Sequence, residues 1–200
     1  MKQQVFVIHG GDAFNTYEEY FSALEKVEVN LEKLQKKSWK ESLPESLGSD
    51  YSVYLVKMPS AFNAKYNEWK LWFEKYLPLF NDDLILIGHS LGAVFLAKYL
   101  SEENILRKIK ATFLVAAPYE YDDDRKLPEF AIEKPLLKLV EQAGELYMYH
   151  SKDDPVVPYF EFEKYRGQLP NAHMKSFEDK QHFNQETFPE LIEDIKIINS

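Results

Sequence analysis

The sequence contains no cysteine. That absence removes disulfide scaffolds, cysteine-based zinc sites and a thiol nucleophile together. Long apolar runs are missing too: the stretches at 5–8, 84–87 and 111–117 fall far short of the roughly 18 residues that mark a membrane span. The opening MKQQVFVIHGG lacks the apolar region of about 7–15 residues and the small-residue cleavage site of a secretory signal. Positive charge is in deficit, with 24 Lys and Arg against 33 Asp and Glu and a formal net charge of −9. An acidic surface repels phosphate backbones, so nucleic acid is not an expected partner. Internal repeats, linkers and low-complexity segments are also absent from the sequence. These absences lead us to expect a cytoplasmic protein that binds neither nucleic acid nor membrane. They name no protein partner.

What is present suits one domain over residues 1–200. Apolar residues make up 45% of the chain, enough for a real core at this length. Short apolar runs alternate with helical patterns from end to end. The runs lie at 5–8, 51–56, 84–87, 111–117 and 146–150, with a weaker one at 172–177. Between them, Tyr17, Tyr20, Phe21 and Leu24 fall at helical spacing, as do Leu31 and Leu34, within a polar-rich stretch over 16–40. Residues 64–77, 91–101, 159–168 and 187–198 also read as helices. Continuous apolar strands separated by helices predict an open, doubly wound, mostly parallel six-stranded α/β sheet with helices on both faces. In such a sheet, ligands bind beyond the carboxyl ends of the strands. The stretch 26–50, rich in Glu, Lys and Ser, reads as an insertion or mobile segment. Only 118–144 separates the fourth and fifth strands, which leaves room for no large lid.

The third run leads into Gly88-His89-Ser90-Leu91-Gly92. The bare G-x-S-x-G pattern is weak, but a buried strand before it and a helix after it are the context of a nucleophile elbow. Glycines at 88 and 92 remove side chains that would clash across a tight turn, and Ala93 lets the helix pack close. The helix N-terminus then points free N–H groups at Ser90. This makes Ser90 the candidate nucleophile and the Leu91 N–H a candidate oxyanion donor.

In this kind of fold the partners follow in the order serine, acid, histidine. The turn-rich stretch at 151–158 follows the fifth strand and offers Asp153 and Asp154. Pro155 pushes the residue before it toward extended backbone, which favours Asp154 and leaves Asp153 as the competitor. Of five histidines, His182 follows the sixth strand and precedes the last helix, where a general base belongs. His173 would lie at the opposite end of the sheet. His89 is inside the elbow, His150 ends a strand beside the acid loop, and His9 shapes the loop after the first strand. In that loop, His9-Gly10-Gly11-Asp12, the Gly11 N–H is the second candidate oxyanion donor and Asp12 the alternative.

Other features read as structural. Tyr121-Asp122-Asp123-Asp124 could suggest a cation, but consecutive side chains diverge, so a solvated acidic loop is expected. Trp69, Trp72, Phe73 and Tyr76 fall at helical spacing and read as core rather than as a ligand platform. Neither a metal nor an organic cofactor is expected.

These pieces resemble a known family. The strand running into His9-Gly10-Gly11, the Ile87-Gly88-His89-Ser90-Leu91-Gly92-Ala93 elbow, the 151–158 loop and His182-Phe183 before the last helix are similar to small α/β hydrolases of the retinoblastoma-binding protein nine type. Those are compact serine hydrolases without a lid. The resemblance implies Ser90 as nucleophile, Asp154 as acid and His182 as base. It also marks two departures: Gln181 stands where the family usually has Gly, and 26–50 is longer than its usual first crossover. The implied reaction is esterase-like hydrolysis of a small ester, thioester or amide through an acyl-enzyme, on a small-molecule acyl substrate. An acyltransferase with the same triad, or a non-catalytic binding module on the same fold, are the alternatives.

Overall fold

The computed structural model describes residues 2–120 and 127–199. Six strands form one sheet: β1 (Gln3–Ile8), β2 (Tyr51–Val56), β3 (Leu84–His89), β4 (Ile109–Val115), β5 (Glu145–Ser151) and β6 (His173–Phe177). Their order is β2-β1-β3-β4-β5-β6, and every pairing is parallel. The chain steps outward from β1 to β2, then returns past β1 to β3. The winding direction therefore reverses between β1 and β3, where an open α/β sheet forms its ligand crevice.

Alternation along the strands supplies both faces. Phe6, Ile8, Leu84 and Leu86 enter one core. That core is covered by α4 (Tyr66–Glu74), α5 (Leu91–Glu102), α6 (Leu137–Gln142) and α7 (Tyr159–Gln168). Val5, Val7, Ile85 and Ile87 enter the other, under α3 (Trp39–Leu47) and α8 (Pro189–Ile198). The helices on both faces explain why the strands read as continuous apolar runs. The described residues hold no helix long and apolar enough to cross a membrane. The Tyr121-Asp122-Asp123-Asp124 stretch lies outside the described residues.

The first crossover refines one expectation and corrects another. The helical pattern over 16–40 resolves into α1 (Tyr17–Glu25), α2 (Leu31–Gln35) and the start of α3. Helix α1 carries a reciprocal capping box between Thr16 and Glu19, yet buries no residue, and Tyr17, Phe21 and Leu24 are exposed. The helical spacing of Tyr17, Tyr20, Phe21 and Leu24 is met by a helix, and that helix lies on the surface. Nor is 26–50 simply an insertion: its second half is the buried crossover helix. Ser38 and Glu41 cap α3, and Trp39, Leu43 and Leu47, at i, i+4 and i+8, are buried against the sheet.

The aromatic stretch near 70 splits as well. Trp69 and Phe73 are fully buried, and Tyr76 packs partly buried against the same core. Trp72 is exposed and donates its ring N–H to the Lys57 carbonyl.

Candidate active site

Ser90 stands between β3 and α5 with φ 55° and ψ −123°. This region is costly for a residue with a Cβ, on the order of 1–3 kcal/mol, and persists only where surroundings over-determine it. Here the Ser90 N–H donates to the Val115 carbonyl at 2.8 Å, and its carbonyl accepts from Ala93 at 2.9 Å and Val94 at 3.2 Å. The flanking glycines answer to close approach. A Cβ on Gly88 would lie 2.5 Å from the Ala93 Cα, and one on Gly92 would strike the Ile8 and His9 carbonyls. Helix α5 thus abuts the carboxyl end of β1. The His9-Gly10-Gly11 loop is brought beside the serine: a Cβ on Gly10 would meet the Ser90 Cβ at 3.0 Å.

Three of the expected side chains form one hydrogen-bonded chain. His182 Nε2 is 2.9 Å from Ser90 Oγ, and its Nδ1 is 2.9 Å and 3.1 Å from the two Asp154 oxygens. A carboxylate only accepts, so Nδ1 carries the hydrogen and Nε2 presents its lone pair to the serine hydroxyl. The Asp154 side chain has no solvent exposure. Its Oδ1 also accepts from the N–H groups of Val156 at 2.8 Å and Val157 at 3.0 Å. His150 closes this loop by donating Nε2–H to the Val157 carbonyl at 2.9 Å.

The competing carboxylate has a different task. Asp153 Oδ1 accepts from Ser151 Oγ at 2.5 Å and from the Gln181 N–H at 2.9 Å, while Ser151 Oγ accepts from the Lys180 N–H at 3.0 Å. The Ser151 hydroxyl, with the Gln181 N–H, holds the Asp153 carboxyl below its usual range. One aspartate faces the imidazole and its neighbour grips the backbone leading into it.

That backbone is strained. Gln181 at φ 48° and Phe183 at φ 52° flank His182 in the left-handed region. Glycine at 181 would relieve about 1–2 kcal/mol of this strain against a chain-entropy cost of roughly 0.5–1 kcal/mol. Gln181→Gly is therefore expected to raise stability by about 0.5 kcal/mol without loss of activity. A urea titration checks it, and a clear loss of stability contradicts the strain account.

Sequence reasoning missed the groups that hold this loop from below. His89 Nε2–H donates to the His182 carbonyl at 2.8 Å. Trp39 donates its ring N–H to the Phe183 carbonyl at 2.9 Å and its backbone N–H to the Gln185 carbonyl at 2.8 Å. Lys40 Nζ lies 3.3 Å from His89 Nδ1. The available signal was the helical spacing of Trp39, Leu43 and Leu47, which marks a buried face.

The loop after β1 is fixed in a similar manner. His9 Nε2 accepts the Met58 N–H at 2.9 Å, which leaves Nδ1–H to donate to the Gly10 carbonyl at 2.5 Å. The Asp12 N–H is engaged by the Ala61 carbonyl at 2.8 Å, and the Asp12 carbonyl accepts from Ala64 at 2.7 Å. The N–H groups of Gly11 and Leu91 have no such acceptor among the described residues. His173 sits exposed at the start of β6, away from the serine. No group of three or more metal-ligating side chains occurs among the described residues.

Burial, reinforced by Lys40 and His182, pushes the His89 pKa well below its ordinary value, and burial also lowers that of His150. Both are neutral in the fold. The unfolded value is about 6.5, so the stability they contribute is present above it and is lost as pH falls through the depressed folded values. Each histidine steepens that loss by up to about 1.4 kcal/mol per pH unit. Denaturant midpoints are expected to be lower at about pH 5.5 than at about pH 7.5, and an unchanged midpoint contradicts the assignment.

Comparisons with known proteins agree with this architecture. The chain is 28% identical over 143 residues to the serine hydrolase RBBP9 of Rattus norvegicus, covering 70% of this chain and 73% of that protein. It is 24% identical over 185 residues to YdeN of Bacillus subtilis (strain 168), covering 92% and 87%. In structure, the ydeN gene product from B. subtilis matches with a TM-score of 0.72 at 17% identity over 99% of both chains. The Pyrococcus furiosus esterase Pf2001 matches with a TM-score of 0.56 at 18% identity over 98% of this chain and 82% of that one. The Serine hydrolase family model matches residues 31–193. With that match spanning most of its length, on a parallel six-stranded sheet, the chain belongs to the serine hydrolase family of α/β-hydrolase proteins.

Proposed function

We propose that the protein is an esterase-like hydrolase, cleaving a small ester, thioester or amide with Ser90 as nucleophile, His182 as base and Asp154 as its orienting acid. The observation that carries this reading is the continuous chain Ser90 Oγ to His182 Nε2 at 2.9 Å and His182 Nδ1 to Asp154 Oδ2 at 2.9 Å. His182 takes the proton as the Ser90 oxygen bonds to the carbonyl carbon, and the carbonyl oxygen becomes an oxyanion. In this reading the N–H groups of Leu91 and Gly11 stabilise that developing charge. The imidazolium, steadied by Asp154, returns its proton to the leaving alcohol, thiol or amine. Water then repeats the sequence in reverse, releasing the acid and freeing Ser90. Every step uses side chains and backbone of this chain, so the proposal needs no cofactor.

The likeness to solved esterases is one of fold, and carboxylesterase-like chemistry is the finer part of the proposal. A cytoplasmic setting fits a chain without cysteine. A panel of p-nitrophenyl esters of increasing acyl length tests the reading. An initial burst of about one p-nitrophenol per protein followed by steady turnover is expected. A folded protein that turns over none of them contradicts it. Adding an alcohol separates the transferase reading, which requires a new ester product rather than free acid.

A further inference from the structure

We infer that Lys40 is a positioning residue for the base: it fixes the tautomer of His89, which in turn holds the His182 backbone in place. The inference rests on the proposed role of His182. The two nitrogens of His89 have different neighbours. Nε2 lies 2.8 Å from the His182 carbonyl oxygen, which only accepts, so Nε2 carries the hydrogen. Nδ1 is therefore a lone pair, and the group 3.3 Å from it is the Lys40 amine, which donates. Without that donor, His89 could place its hydrogen on Nδ1 and release the carbonyl. The neighbouring residue completes the clamp: Trp39 holds the carbonyls of Phe183 and Gln185. Two consecutive residues at the start of α3 thus reach the backbone at and after the base, one directly and one through His89.

The surroundings of Lys40 do not suggest an ordinary surface lysine. It is half-buried, its ammonium lies 4.9 Å from the Trp39 ring centroid, and among the described residues it forms no ion pair. The carboxylate on its own helix, Glu41, is turned to the Ser38 N–H at 2.8 Å. From the sheet side, His89 faces it, with His9, His182 and Asp154 beyond. Removal from water, partly offset by Glu41, lowers the lysine to about 8, so it remains a cation at neutral pH. A cation there helps to keep His89 neutral, with Nδ1 a lone pair.

The test compares wild type with Lys40→Met, Lys40→Gln and Lys40→Arg, following fluorophosphonate labelling and steady-state ester turnover. Methionine keeps the apolar stem and the helix propensity. Lys40→Met is expected to lower kcat about tenfold with KM changed less than about twofold, since a displaced base costs rate rather than binding. Lys40→Arg should restore kcat to near wild type. Lys40→Gln keeps a donor without charge, so its kcat should lie between those of Lys40→Met and wild type, and Lys40→Leu, which also lacks a donor, stands in if the methionine variant does not fold. Wild-type kcat in Lys40→Met or Lys40→Leu, or a kcat in Lys40→Gln no higher than in Lys40→Met, overturns the inference while Ser90 still takes label. A wild-type protein that takes no label overturns the hydrolase reading itself, and this inference with it.

Discussion

Ser90→Ala is expected to lower kcat on an activated ester by about a million-fold while leaving the fold intact. The loss is large because the serine and histidine act as one unit. With the hydroxyl gone, His182 Nε2 has no proton to take at 2.9 Å. His182→Ala should cost about as much, and the double variant should be hardly worse than either single one, since each removes the same covalent step. Residual rate over water would come from the Leu91 and Gly11 N–H groups and from binding. The same position carries a stability consequence of opposite sign. Ser90 has a φ of 55°, and glycine adopts that region at no steric cost. Ser90→Gly should therefore be inactive yet no less stable than wild type, the trade expected where strain serves a site. Additive losses in the double variant would contradict the concerted account.

Asp154→Asn is expected to lower kcat about ten-thousand-fold, and Asp153→Asn by no more than roughly threefold. Both carboxylates sit in one short loop, so the contrast depends on which way each points. Asp154 receives the His182 Nδ1–H, and an amide there can present its own N–H and drive the imidazole to the tautomer that cannot accept from Ser90. Its Oδ1 can still accept from Val156 and Val157, so the loop should survive. Asp153 instead accepts from Ser151 and Gln181 through Oδ1. An asparagine oxygen can make both bonds, so little should change. Steady-state kinetics on the two purified variants decide this. Comparable losses in both would mean that loop geometry, and not the carboxylate facing the ring, sets the rate.

The sequence carried much of this site because its parts are local. The run at 84–87 leading into Gly88-His89-Ser90 marks a strand and a sharp turn within a few residues. Pro155 marks the direction of Asp154, and chain order marks His182. What was not legible is long-range. Trp39 and Phe183 are 144 positions apart, and His89 and His182 are 93 apart. No spacing rule joins them, and a Glu, Lys and Ser-rich stretch hid a helix whose apolar face is only three residues long. The Asp12 N–H is likewise engaged by Ala61, a residue of another loop that no local pattern announces. Helix α1 shows the converse limit. Its apolar spacing and capping box specify a helix, but nothing local says whether another element covers it.

Resemblance to the retinoblastoma-binding protein nine type pointed to the same three residues and marked Gln181 as a departure from glycine. The structure gives that departure a physical meaning, since Gln181 occupies backbone that glycine favours. The first crossover also supplies the helix whose Trp39 donates to the carbonyls of Phe183 and Gln185, next to the proposed base.

The central claim is that Ser90 is a nucleophile activated by His182 and Asp154. The direct measurement is intact-mass and peptide mapping after exposure to a fluorophosphonate probe. The account predicts one adduct per chain, located on Ser90, absent in Ser90→Ala and strongly slowed in Asp154→Asn. A folded wild-type protein that takes no adduct, or takes it on another residue, would contradict the account.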